Sequence, residues 1–182
     1  MTALLALLLL AAIGAVACAS CAAALHNGSL EEARDDALSE ELFAAAASSA
    51  AYVENDETAR LCELRARGVE SGNWRMDKTL SNDKIAVFVN WYRQLLVVAF
   101  RGSLSLSDWK SNIVHVVPGN ELASVDFRNG LETARAAQRK YLLFRRLQLT
   151  GHSRGGSMAD FVGRKLGLPS IQINPGSWGK LL

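Results

Sequence analysis

The chain has 182 residues, 49% of them apolar, with 20 basic and 18 acidic side chains and a net charge of +2. That length suits one domain with its own core, and the apolar share excludes an intrinsically disordered chain. The near balance of charge excludes the basic footprint of a nucleic-acid binder, so no nucleic-acid partner is expected.

Residues Ala3 to Leu25 are almost wholly apolar or small, and no charged side chain occurs before Glu31. A Leu-rich run followed by Ala15 to Ala17, or by Ala17 to Ala19, reads as a secretory signal with its cleavage site. The run is also long enough to span a bilayer at roughly 20 residues. Residues 1–25 are therefore expected to be a signal peptide or membrane anchor, making the protein secreted or membrane-anchored. Residues 26–38 read as a polar linker, and 39–182 as the folded domain. Asn27-Gly28-Ser29 is a glycosylation sequon. Cys21 and Cys62 could pair in an oxidising compartment. The C-x-x-C spacing of Cys18 and Cys21 lacks a second ligand pair, so no metal is expected.

Ser39-Glu40-Glu41-Leu42 opens an Ala-rich helix to about Val53, with Ser39 as N-cap and the two Glu side chains in the first turn. A second helical piece runs from Glu57 to Arg67. Gly68 to Asn82 reads as loop. Lys84 to Asn90 and Gln94 to Phe100 are strand-like, the second nearly continuous in apolar residues, as in a strand buried on both faces. Trp91 to Arg93 between them makes a hairpin. Leu104 to Asn112 is turn-like, and Ile113 to Val117 is a third β-run, stopped by Pro118-Gly119. Asn129 to Arg146 has helical spacing. Leu147 to Thr150 is a short strand, Gly151 to Gly156 a tight turn, and Ser157 to Leu166 a helix ended by Gly167. Ser170 to Asn174 is a last strand. Strand, turn, helix and strand make a βαβ unit, which implies parallel neighbours and an α/β fold.

The turn carries the chemistry. Gly151-His152-Ser153-Arg154-Gly155 is a G-x-S-x-G elbow, which lifts a serine hydroxyl clear of the backbone at a strained strand-to-helix corner. Small residues at Gly151 and Gly155 prevent clashes, and the next N–H, that of Arg154, points to where an oxyanion would form.

Three blocks resemble the class-three, fungal-type lipases of the α/β-hydrolase superfamily. They are Val97-Val98-Ala99-Phe100-Arg101-Gly102-Ser103 with Asp108-Trp109 and Asn112-Ile113, then Thr150 to Gly156, then Asn174-Pro175-Gly176-Ser177. The resemblance covers roughly Leu42 to Ser177. It implies a partial α/β-hydrolase fold, a mixed, mostly parallel sheet flanked by helices. It implies a serine ester hydrolase acting on lipid acyl esters, with Ser153 as nucleophile and no cofactor or metal. By resemblance Ser103 joins Arg154 in the oxyanion hole. The implied partners are a lipid or small ester substrate and a membrane surface.

Two departures stand out. The family has Leu where this chain has Arg154, whose side chain is expected to lie in solvent or to attract an anionic headgroup. The family's Asp and His follow its serine, yet no His follows Ser153 here. The carboxylate downstream, Asp160, lies about 10 Å along the helix at 1.5 Å per residue, and reads as a solvated helix residue. His152 is expected to pack or cap locally, and His115 to be a half-buried strand residue. The chain therefore looks short at its C-terminus relative to the family. A non-catalytic or truncated lipase-like protein that binds lipid or a partner is the alternative, with a protein partner covering the incomplete sheet edge.

Overall fold

The computed structural model describes residues 39–70, 72–103, 122 and 124–174. Two units divide at Glu40, Met1–Glu40 and Glu41–Leu182. Of the first, only residues 39 and 40 are described, both helical. Ser39 is thus inside a helix and is not its N-cap.

The described residues of the second unit form four helices and five strands. They are α1 (helical to residue 50), α2 (Glu57–Ala66), β1 (Trp74–Met76), β2 (Ile85–Asn90), β3 (Leu95–Phe100), α3 (Val125–Lys140), β4 (Arg146–His152), α4 (Arg154–Leu166) and β5 (Ser170–Ile173). The strands form one sheet in chain order. β1, β2 and β3 pair antiparallel, whereas β3, β4 and β5 pair parallel.

Every residue of β2 and β3 is buried, because helices cover both faces. Side chains alternate across a strand. Ile85, Val87, Val89, Leu96, Val98 and Phe100 therefore pack on α3 and α4, through Phe127, Leu131, Phe161 and Val162. Ala86, Phe88, Leu95, Val97 and Ala99 face the other way, onto Phe43, Ala47 and Ala50 of α1 and Leu64 of α2. Each of the Val, Leu, Ile and Phe side chains among these contributes on the order of 2 kcal/mol by burial, and each Ala less. A mixed sheet with parallel centre strands, a strand–turn–helix unit and helices on both faces is an α/β arrangement.

Several boundaries differ from the sequence reading. β1 lies inside the expected loop; it is only three residues long and follows Gly72-Asn73. α3 starts at Val125 and ends at Lys140, so Tyr141 to Arg145 is connection and not helix. α4 starts at Arg154, so Gly155 and Gly156 are its first turn. The run Ile113 to Val117, the turn before it and His115 lie outside the described residues. So do the linker, the sequon, Cys18 and Cys21, while Cys62 is a free, exposed thiol on α2.

The localisation expectation is corrected. Among the described residues no helix is long and apolar enough to cross a membrane. Residues 1–25 lie outside them, so no membrane anchor is shown.

The end of α3 is pinned by Asp77. Its carboxylate accepts from Tyr141 Oη at 2.7 Å and from Thr79 Oγ1 at 2.7 Å, and pairs with Lys140 Nζ at 2.6 Å. Burial opposes ionisation of this carboxyl and is the largest influence on it. The bonds from Lys140, Thr79 and Tyr141 together outweigh burial and bring its pKa from 3.8 to about 2. A pKa depressed on folding stabilises the fold above the unfolded value, and that contribution is lost as pH falls through the folded one. At 1.36 kcal/mol per unit it amounts to about 2 kcal/mol at neutral pH. Asp77→Asn is therefore expected to lower the unfolding free energy by about that amount at pH 7. It should also flatten the fall in stability between pH 4 and 2. Chemical denaturation of both proteins across that range checks this.

Candidate active site

The elbow joins β4 to α4. Ser153 has φ 55° and ψ −124°, outside the regions open to ordinary L-residues, at a cost of about 1–3 kcal/mol. Two connections hold it there. Its N–H donates to Ile173 O of β5 at 3.0 Å, and its carbonyl accepts from Gly156 N and Ser157 N at 2.9 and 3.2 Å. The helix that follows has no acidic residue in its first turn, so its N-terminal N–H groups keep their positive end unneutralised.

Glycine is required at two elbow positions. A Cβ on Gly155 would collide with the backbone oxygen of Phe100, and one on Gly151 would collide with the backbone of Gly155. The ends of β3 and β4 and the first turn of α4 are thus in backbone contact. The Phe-Arg-Gly-Ser block, which follows β3, meets the elbow the same way. A Cβ on Gly102 would lie 2.7 Å from His152 O and 3.3 Å from Ser153 Cβ. Ser153, His152, Arg154, Gly151, Gly155 and the Gly102-Ser103 pair are therefore brought together.

Tyr52, just past α1, was not singled out from the sequence. Its hydroxyl accepts from Gly102 N at 3.1 Å and shares a 3.0 Å hydrogen bond with His152 Nδ1. Burial raises its pKa above the usual phenol value, against the lowering effects of the Gly102 bond and Arg101. His152 is thus engaged by a residue 100 positions away, not by a local cap. The signal was a spacing of four. Ala44, Ser48 and Tyr52 follow one another at helical intervals. Ala44 O accepts from Thr150 Oγ1 at 3.1 Å, and Ser48 Oγ bonds the same hydroxyl at 2.9 Å.

The Arg154 side chain is neither free in solvent nor held for a ligand by default. It bonds Asp126 Oδ2 at 2.7 Å and Ser124 Oγ at 3.2 Å, at the start of α3, and its guanidinium lies 5.8 Å from the Phe127 ring centroid. Lys84 Nζ approaches the other Asp126 oxygen at 2.8 Å. Burial works against the Asp126 charge, but Lys84 and Arg154 together hold its pKa below the usual carboxylate range. Asp160 pairs with Arg164 at 3.0 Å and accepts from Gln172 at 3.1 Å, as a surface helix residue does. Among the described residues, no imidazole or carboxylate is hydrogen-bonded to the Ser153 hydroxyl. Nor does any group of His, Cys, Asp and Glu there suit a metal ion.

No family description matches the chain, and no curated protein matches it. Solved structures do. A fungal lipase–inhibitor complex is 17% identical with a TM-score of 0.48, over 74% of this chain and 56% of that one. The Aspergillus oryzae mono- and diacylglycerol lipase is 18% identical with a TM-score of 0.46, over 70% and 56%. The Rhizomucor miehei lipase–propeptide complex is 17% identical with a TM-score of 0.43, over 76% and 51%. At these values the likeness lends no weight to any activity. These three solved structures are fungal lipases, and the chain spans about half of their length.

Proposed function

We propose that the protein is a lipase-like serine ester hydrolase, acting on lipid or small acyl esters through Ser153. The observation that carries this is the strained Ser153 backbone between β4 and α4, with the Gly102-Ser103 strand end packed against it. The Ser153 hydroxyl attacks the ester carbonyl, and the alcohol leaves as the tetrahedral adduct collapses to an acyl-enzyme that water then hydrolyses. The N–H groups of Arg154 and Ser103 are assigned as donors to the oxyanion, aided by the positive end of α4. Serine-acyl chemistry of this kind calls for no metal or cofactor. Ester turnover tests the reading: Ser153→Ala should fall to background, and equal rates would sink it.

Tyr52 acts as a positioning residue in this scheme, since one hydroxyl ties the oxyanion strand to the elbow. Tyr52→Phe is expected to lower kcat about tenfold, through a small misplacement of the donors. The unfolding free energy should fall by only about 1 kcal/mol. Unchanged kcat beside reduced stability would show a structural role alone.

A second reading is a non-catalytic lipase-like protein that binds lipid or a partner. It is favoured by the Ser153 hydroxyl, which among the described residues has no imidazole or carboxylate hydrogen-bonded to it as a base. A protein partner pairing with β5, the edge strand of the described sheet, belongs to this reading.

A further inference from the structure

Two turns stand side by side at the end of the sheet opposite the elbow. One joins β2 to β3, and the other joins α3 to β4. They meet where Arg146 N donates to Gln94 O at 3.4 Å. The second turn is closed by Phe144 N, which donates to Tyr141 O at 2.9 Å, so Leu142 and Leu143 occupy its tip. These two are 79% and 92% exposed, and Trp91 and Tyr92 of the neighbouring turn are 64% and 86% exposed. The Trp91 ring lies edge-on to Phe144 and Tyr141, with centroids 4.9 and 5.8 Å away. Tyr141 is itself held by Asp77. The exposed side chains therefore form one patch on rings that are braced from behind. Single exposed apolar residues are ordinary, but a contiguous group marks a surface that something covers.

The surroundings of the patch are cationic. Arg93, Arg139, Arg145 and Arg146, in and beside the two turns, are all exposed. No Asp or Glu occurs from Asn90 to Leu95 or from Gln138 to Gln148. Asp77, which reaches Tyr141, is already paired with Lys140. An anionic cover therefore fits. A second copy of the chain does not, because a symmetric contact would set these arginines against their own copies. Shape chooses among anionic covers. Leu142 and Leu143 project from a turn tip instead of lining a groove, and a tip enters a fluid layer without needing a matching hollow. Trp91 and Tyr92 beside it carry an apolar ring with a polar edge, which suits the level of lipid headgroups.

We infer that this end of the domain docks reversibly on an anionic lipid surface. Leu142, Leu143 and Trp91 enter the boundary between headgroups and acyl chains, and Arg93, Arg139, Arg145 and Arg146 meet lipid phosphates. β4 is seven residues long, so Ser153 lies roughly 20 Å from the patch at about 3.3 Å per residue. The elbow thus stands on the far side from the lipid, and the docking is independent of the ester chemistry.

Flotation of the full chain with vesicles tests this, using phosphatidylcholine alone and phosphatidylcholine with about a third phosphatidylserine. The unaltered chain should bind the mixed vesicles and come off as salt rises. Leu142→Ser combined with Leu143→Ser should weaken that binding about tenfold. Arg93→Gln combined with Arg145→Gln should also weaken it about tenfold, with no effect on phosphatidylcholine alone. All four substituted side chains are exposed, so the fold should survive both changes. Quenching of tryptophan fluorescence by brominated phosphatidylcholine separates this patch from any other contact of the chain with lipid. Trp91→Phe should remove most of the quenching. No binding to mixed vesicles, equal binding by the substituted chains, or quenching unchanged in Trp91→Phe overturns the docking surface. A dimer abolished by the leucine substitutions, without vesicle binding, would assign the patch to a second copy instead. Turnover of a soluble ester should be the same in every variant, so this inference and the hydrolase reading fail separately.

Discussion

Arg60→Ala is expected to lower the unfolding free energy by about 3–5 kcal/mol, since several buried oxygens lose their donor at about 1–3 kcal/mol each. Arg60 is completely buried. Its guanidinium donates to Asn82 O at 2.8 Å, Asn55 Oδ1 at 3.0 Å, Ile85 O at 3.3 Å and Val53 O at 3.4 Å, and meets Met76 Sδ at 3.5 Å. One side chain thus ties the α1–α2 connection to β1 and to the turn that feeds β2. Truncation leaves backbone carbonyls that no mutation can remove, plus the volume of the largest fully buried side chain. Arg60→Met restores volume but not donors, so it should recover only part of the loss. Arg60→Lys keeps the charge but has three donors on a single nitrogen, too few and too compact for acceptors this widely spread. Against a total stability of about 5–15 kcal/mol, Arg60→Ala should be marginal at 37 °C. Denaturant titration of the three variants, ranked by midpoint, checks the order.

Gly155→Ala is the second large effect, and it should strike function harder than stability. The added methyl would meet the Phe100 oxygen and approach the Arg101 carbonyl carbon to 3.0 Å. These are backbone atoms at the end of β3, where Phe100 is paired on both sides, so no side chain can swing aside. The first turn of α4 must retreat by about 1 Å, at the upper end of the 1–3 kcal/mol typical of overpacking. Arg154 N rides on that turn, whereas Ser103 N lies on the segment that follows β3, so the two proposed donors move apart. A displacement of about 1 Å is enough to cost about a hundredfold in rate. Gly163, on the same helix but away from the elbow, offers the comparison. Its Cβ would meet Leu168 O at 2.9 Å, so Gly163→Ala should cost stability with a much smaller effect on turnover. Thermal denaturation beside ester turnover for both variants separates the two effects.

The sequence disclosed the sheet centre best, because strands buried on both faces leave an unbroken apolar run. That is why β2 and β3 were read to within one residue at their starts. Helix ends were read less well, for tertiary reasons. The helix expected from Asn129 starts four residues earlier, at Val125, and Gly130 sits inside it where a side chain would press on Met158 and Phe100. The apolar Tyr141-Leu142-Leu143-Phe144 looks helical, but Tyr141 is held by Asp77, and Leu142 and Leu143 are exposed. Gly155-Gly156 looks like a turn, yet it is helix because only glycine allows α4 to start so close to β3. In the site, the serine and its glycines were legible because their spacing is dictated by the backbone. Tyr52 and Asp126, the partner of Arg154, were not, since each contributes through a contact between distant segments. Arg154 shows this most clearly. Its type suggested solvent, and only the placement of α3 reveals the carboxylate that holds it.

The central claim is that Ser153 is a nucleophile held ready by its backbone. Intact-mass analysis after exposure to a fluorophosphonate tests it most directly. The account predicts one adduct on the full chain, located at Ser153 by peptide mapping and absent from Ser153→Ala. No adduct on the unaltered chain, or equal labelling of Ser153→Ala, would contradict it.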